Sequence, residues 1–478
     1  MNLADPAALA DEHFDYVVIG SGFGSTFFVH KLLETRPGRV LIVEWGEHHP
    51  HGWQIEKWKN SAIDGATTYR SESDKPWHYT VALGGGTNCW YGQTPRLHPT
   101  DFRLKSLYGV GADWPIDYDA LEPFYGQAET IMSISGDPDM AKVLPRSTPF
   151  PQPAHRMTTP EHLLKKAQRD WHFAIPTARA RVATEQRAAC CASFTCHRCP
   201  ADAKFTALNG MKSVLEHPRV TVALSTKAIR FDSAGDSVSA LVIESAGKQY
   251  RVTSDLFVLG ANAIQSPAIL QRSSMGGGLT GKGLHESLGT HVEVLLDGLD
   301  SLDGSTITTG LNYGLYDGPF RKDYAAALVS FENRWVHGLR TEPGRWKQTL
   351  PLIIMTEDLP QDGNNVTIDE HGMPVVSWIG PSDYARRGQK EAFAKLPKLL
   401  SPLPVEDIIF RSDRDTESHL QGTLRMGDDP ASSVIDSKMI HHRWRNLAVV
   451  GSSAFTTCSA SNPSLTVAAL SLRAASLL

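Results

Sequence analysis

The stretch that decides the fold runs from Phe14 to Glu47 and reads FDYVVIGSGFGSTFFVHKLLETRPGRVLIVEWGE. A short β-branched run ends in Gly20-Ser21-Gly22, an apolar helical segment follows, and a second β-branched run ends at Glu44. This is the order of a strand, a helix and a second strand closed around a dinucleotide. Gly20 permits the tight turn and Gly22 lets the backbone approach a pyrophosphate. The helix starting near Phe23 offers unpaired N–H groups and a positive dipole end to those phosphates. Glu44 accepts hydrogen bonds from ribose hydroxyls in such a unit. A carboxylate there repels a 2′-phosphate, which disfavours NADP and leaves FAD and NAD. The third glycine of the pattern is replaced by Ser25, with Gly24 beside it, so looser packing of helix on strand is expected at that point.

Composition sets the outer bounds. The chain has 478 residues, of which 41% are hydrophobic and 21% charged, enough for a large core and two or three domains. A net charge of −5 with scattered basic residues argues against nucleic-acid binding. The apolar run Leu465–Leu478 is short and interrupted by Arg473, so no membrane span is expected. The first residues, MNLADPAALADEH, carry acids and no basic segment, and the six cysteines are too few for a disulfide scaffold. Both features suggest a reducing, cytoplasmic setting, with export alongside a partner subunit as the alternative. Asn365-Val366-Thr367 fits a glycosylation sequon and is read as incidental.

Further motifs follow in order. Ala82–Phe102, ALGGGTNCWYGQTPRLHPTDF, contains a glycine loop able to approach a planar or charged ligand. Leu256–Leu270, LFVLGANAIQSPAIL, reads as a buried strand running into a helix, and alternating apolar residues from Arg219 to Phe257 suggest short strands. Near the C-terminus stand His419-Leu-Gln-Gly422-Thr423, then NLAVVGSSAF, then Ser461-Asn462-Pro463-Ser464-Leu465-Thr466. Pro463 marks a helix start, whose N-terminus suits negative charge.

Together these motifs resemble the glucose–methanol–choline (GMC) oxidoreductases, which bind FAD, and in particular the pyranose oxidases and sugar dehydrogenases among them. The resemblance implies an α/β fold, with a discontinuous, doubly wound FAD-binding domain from residues 1–100, 206–284 and 419–478. Residues 101–205 and 285–418 would form an antiparallel-sheet substrate lobe and lid. It implies cofactor contacts from Gly20, Gly22, Ser25 and Glu44, and from Gly84, Gly85, Thr87, Asn88 and Cys89 in the glycine loop. Ala228, Gly451, Ser452, Pro463 and Thr466 complete that set. Thr87-Asn88-Cys89-Trp90 resembles the loop where pyranose oxidases carry a flavin-bonded histidine. Cys89 is read as a small buried thiol there, with a covalent bond as the alternative.

By the same resemblance His419 is the base that takes the alcohol proton, and Asn462 holds the oxygen. His441 and His442 are the next candidates in sequence. Between His285 and Ser418 tyrosines, tryptophans and asparagines become frequent, as in YGLYDGPF, FENRWVHG and EDLPQDGNNVTID. A hairpin is expected around His371-Gly372, within the sheet that covers the flavin and holds substrate.

Four cysteines fall between Ala189 and Pro200, in ACCASFTCHRCP. Clustered thiolates ending in Cys-Pro resemble iron–sulfur ligation, with Cys190, Cys196 and Cys199 as ligands. A cofactorless or zinc-bound loop is the alternative. The expectation is FAD-dependent oxidation of a secondary alcohol of a sugar or glycoside to a ketone, with hydride passing to flavin N5. Oxygen, a quinone or a redox protein would take the electrons, and a small partner subunit fits the resemblance. A sterol or long-chain alcohol is the alternative substrate, and a non-catalytic nucleotide-binding or assembly protein the alternative of another class.

Overall fold

A computed structural model describes residues 1–335 and 340–478; the end of the FENRWVHG stretch, residues 336–338, lies outside the described residues. The deciding stretch forms the strand His13–Ile19, the helix Phe23–Thr35 and the strand Val40–Val43. The two strands are parallel, in register from Tyr16 opposite Val40 to Ile19 opposite Val43. All four residues of Val40–Val43 are buried, as befits a parallel strand covered on both faces. The sheet extends through Val220–Ala223 to Asn2–Leu3 on one side and to Lys248–Leu259 on the other.

The strand Lys248–Leu259 has two different neighbours on the edge away from His13–Ile19. Its first half pairs antiparallel with Ser237–Ser245, and Phe257–Leu259 pair parallel with Leu447–Val449. The C-terminal segment thus completes the sheet begun at the N-terminus. The final helix, Ser464–Ser476, starts directly after Pro463 and is buried along most of its length.

A second sheet runs in the order Val405–Asp413, Leu288–Leu296, Thr349–Thr356, Ala327–Glu332, Thr308–Asn312 and His172–Ala174, with every pairing antiparallel. The helix Asp383–Leu399 closes one of its faces through Ala392, Leu396 and Leu399. The hairpin Asn365–Ile368 with Pro374–Ser377 does form, but not in this sheet. It pairs with Arg70–Ser71 and packs Val366 and Val376 on Ala263 and Ile264 of the first domain's helix Asn262–Arg272.

One boundary differs from expectation. The helix Tyr118–Met132, read from sequence as part of the lobe, packs Leu121, Tyr125, Ala128 and Met132 into the core of the FAD-type domain. Tyr125 Oη and Thr466 Oγ1 share a hydrogen bond of 2.8 Å that ties it to the final helix. The apolar spacing is visible in the sequence, but its partner lies at the other end of the chain.

Candidate active site

The strand ends of the first sheet open into a cavity of about 1300 Å³, whose far wall includes the cross-strand pair His291 and Ile353 of the second sheet. Gly20, Gly22 and Glu44 line it. Gly20 has a φ of +85°, and a Cβ on it would lie 2.6 Å from the Gly260 carbonyl oxygen, so only glycine fits the turn. Ser21 knits the site: its hydroxyl donates to Glu44 Oε2 at 2.6 Å and accepts from Gly84 N–H at 2.9 Å. Gly46 N–H donates to Glu44 Oε1 at 2.9 Å. Burial pushes the Glu44 carboxyl above its ordinary pKa, and these donors oppose that shift.

Gly85, Cys89, Ala228, Gly451, Ser452 and Pro463 also line the cavity. A Cβ on Gly451, or on the neighbouring Gly86, would meet open space, so bare backbone faces the cavity there. Glycine backbone, a helix N-terminus and a buried carboxylate side by side fit the pyrophosphate and ribose of FAD.

Five of the expected contact residues do not line the cavity. Ser25 is buried on the inner face of the first helix, with its hydroxyl 3.3 Å from Ile19 O. Gly24, not residue 25, makes the close approach: a Cβ there would lie 2.7 Å from Gly451 N and 3.1 Å from Val450 C. The helix therefore packs tightly after all. Gly84, Thr87 and Asn88 hold the glycine loop from behind. Thr87 Oγ1 donates to Gly84 O at 2.6 Å and accepts from Ala207 N–H at 2.9 Å, and Asn88 Nδ2 donates to Leu83 O at 2.8 Å. Thr466 is fully buried against Tyr125. Residues that the sequence did not mark also line the cavity: Trp45, Lys227, Tyr91, Arg414 and Glu417, with His197 and Arg198 from between the cysteines.

His419 and Asn462 meet on the cavity wall, Asn462 Nδ2 lying 3.4 Å from His419 Nε2. His419 Nδ1 lies 3.5 Å from Ser287 Oγ. The tautomer with its proton on Nδ1 leaves the Nε2 lone pair toward Asn462. Glu286 fixes the turn by accepting from His419 N–H at 3.1 Å and Glu417 N–H at 3.2 Å, while pairing with Lys75. His441 accepts from Arg443 N–H at 3.1 Å and His442 lies 2.8 Å from Ser433 Oγ, both away from the cavity.

Burial and the Arg414 guanidinium push the His419 pKa down to about 3, so the ring is neutral at ordinary pH. At saturating alcohol, the anaerobic flavin-reduction rate should therefore keep its proton acceptor down to pH 5. An acid limb near pH 6.5 that vanishes with the histidine would contradict this.

Cys196 lies within electrostatic reach of both Cys190 and Cys199. Cys199 Sγ accepts from Ala203 N–H at 3.3 Å, Cys190 Sγ lies 3.6 Å from Thr306 Oγ1, and Cys196 is buried. Among the described residues no three His, Cys, Asp or Glu side chains are grouped to hold a metal ion. None of the helices among them is long and apolar enough to cross a membrane.

Fold and cavity fit a flavin-dependent oxidoreductase. Comparison with known proteins agrees: the GMC oxidoreductase family model matches residues 385–471. The chain is similar to the GMC oxidoreductases, which bind FAD. It is 25% identical to the fructose dehydrogenase large subunit of Gluconobacter japonicus, over 96% of this chain and 97% of that protein. It is 28% identical to paromamine 6'-oxidase of Streptomyces fradiae, over 97% of this chain and 91% of that protein. The solved structure of pyridoxine 4-oxidase from Mesorbium loti superposes with a TM-score of 0.68 at 18% identity, covering 97% of this chain and 98% of that one. That likeness shows a shared fold.

Proposed function

We propose that this protein oxidises a secondary alcohol of a sugar or glycoside to the ketone. The observation that carries the reading is the meeting of His419 and Asn462 on the wall of the glycine-lined cavity. FAD, when bound, supplies the hydride acceptor. His419 Nε2 takes the hydroxyl proton, and Asn462 Nδ2 donates to the oxygen and holds it as its charge grows. Ser287 holds the imidazole in position, and Glu286 holds the His419 backbone. Two relatives are named for carbohydrate substrates, fructose and paromamine, which supports a sugar over a sterol or long-chain alcohol.

Anaerobic bleaching of the flavin by a panel of sugars tests the reading, and repeating the panel with oxygen and with an artificial acceptor identifies the electron acceptor. A flavin that no sugar or glycoside bleaches would refute it. A quinone or a redox protein, including a small partner subunit, is the acceptor proposed if oxygen fails. The cytoplasm is the proposed setting.

An iron–sulfur cluster on Cys190, Cys196 and Cys199 requires Cys190 and Cys199 to leave Thr306 and Ala203 and turn toward Cys196. Iron and acid-labile sulfide in anaerobically purified protein decide between that arrangement and a metal-free loop. A cluster would give both, in proportions lost on Cys196→Ser; the thiol geometry predicts neither.

A further inference from the structure

We propose that Arg414 and Glu417 form a subsite for a second hydroxyl beside His419, so that this pair selects a polyol over a simple alcohol. The inference rests on the function proposed above and names what gives it its substrate class. Both residues line the cavity together with His419. The strand Val405–Asp413 ends just before Arg414, and the turn that follows brings the chain to His419.

What singles the pair out is unused hydrogen-bonding capacity. The Glu417 side chain is only 5% exposed, yet among the described residues its single polar partner is Arg414 Nε, 3.1 Å from Oε1, without hydrogen-bond geometry. It packs on Gly289, where any Cβ would overlap the carboxylate. Arg414 makes no other side-chain hydrogen bond or ion pair among the described residues.

Several neighbouring charges are engaged. Arg334 pairs with Glu332 at 2.7 Å, Asp413 receives Arg386 at 2.7 Å, and Glu286 holds Lys75 and the turn. The charges facing Glu417 are Arg414, Glu286, Lys75 and Glu332, and burial pushes its carboxyl up to about 7.

A buried carboxylate with one partner is costly unless further bonds satisfy it. Vicinal hydroxyls supply them, since each hydroxyl accepts from a guanidinium and donates to a carboxylate. A site built to bond a hydroxyl rejects the analogue lacking it, because its own groups are then left unpaired.

The test compares trans-1,2-cyclohexanediol with cyclohexanol, which differ by one neighbouring hydroxyl, in anaerobic flavin reduction. Wild type should prefer the diol by about thirtyfold or more in kcat/KM, mainly through KM. In Glu417→Gln and Arg414→Met, each checked for FAD content, the ratio should fall to within about threefold, whatever the absolute rates. Equal use of both alcohols by the wild type, or a wild-type preference surviving in both variants, overturns the subsite alone. A wild-type flavin that neither alcohol nor any sugar reduces overturns the proposed function and the subsite with it.

Discussion

His419→Ala should bind FAD as the wild type does, yet slow flavin reduction by alcohol about a hundredfold or more, the scale of a lost general base. FAD binding survives because the glycine turns, Glu44 and the final helix lie on other segments. The rate falls because Nε2 is the neutral acceptor closest to Asn462, at 3.4 Å. No other histidine among the described residues bonds to Asn462, and His441 and His442 are held elsewhere. Asn462→Ala should cost about tenfold, the worth of one hydrogen bond to the reacting oxygen. Anaerobic stopped-flow absorbance measures both. A His419→Ala enzyme that reduces its flavin at the wild-type rate would move the base elsewhere.

Gly24→Val should give colourless protein. The new Cβ would sit 2.7 Å from Gly451 N and 3.0 Å from Gly451 Cα, backbone atoms that no rotamer change can clear. Relief requires the first helix to lift from the Val450–Gly451 turn, and both the helix N-terminus and Gly451 line the FAD cavity. Overpacking of this kind costs about 1–3 kcal/mol or more in stability, and here the displaced groups are those that bind phosphate. Ser25→Gly is the control. It removes one long hydrogen bond, 3.3 Å to Ile19 O, and should leave FAD content unchanged. The ratio of absorbance at 450 nm to that at 280 nm reads both. A yellow Gly24→Val protein with full FAD content would show that the approach is not needed.

Signals that are local in the chain were legible, and those that depend on distant partners were not. The unit from Phe14 to Glu44 carries its own turn glycines, buried runs and acid, so its geometry follows from neighbours in sequence. The exchange of roles between Ser25 and Gly24 was hidden because the strand that Gly24 approaches ends at Val449, at the far end of the chain. Gly84, Thr87 and Asn88 share a motif with Gly85 and Cys89, but a tight turn points alternate groups into the cavity and away from it, and the motif does not say which. His419 and Asn462 are ordinary residues by composition, and resemblance alone marked them. Arg414 and Glu417 follow a strand rich in exposed charge, where a functional pair looks like any solvated one. The cysteine run pointed to metal by spacing and gave no sign that His197 and Arg198 between the thiols reach the cavity.

The strand Lys248–Leu259 is flanked at its end, Phe257–Leu259, by Leu447–Val449, a segment made near the end of synthesis. Until those residues leave the ribosome, the sheet has an open edge beside the nucleotide turn, and Gly451, His419, Asn462 and the final helix are missing or unplaced. Pairing between such distant segments is slow to form and exposes unpaired edges meanwhile. Cofactor capture and catalytic competence should therefore arrive together and after translation. A chain cut before Asn446 is then an aggregation-prone fragment rather than a weakened enzyme.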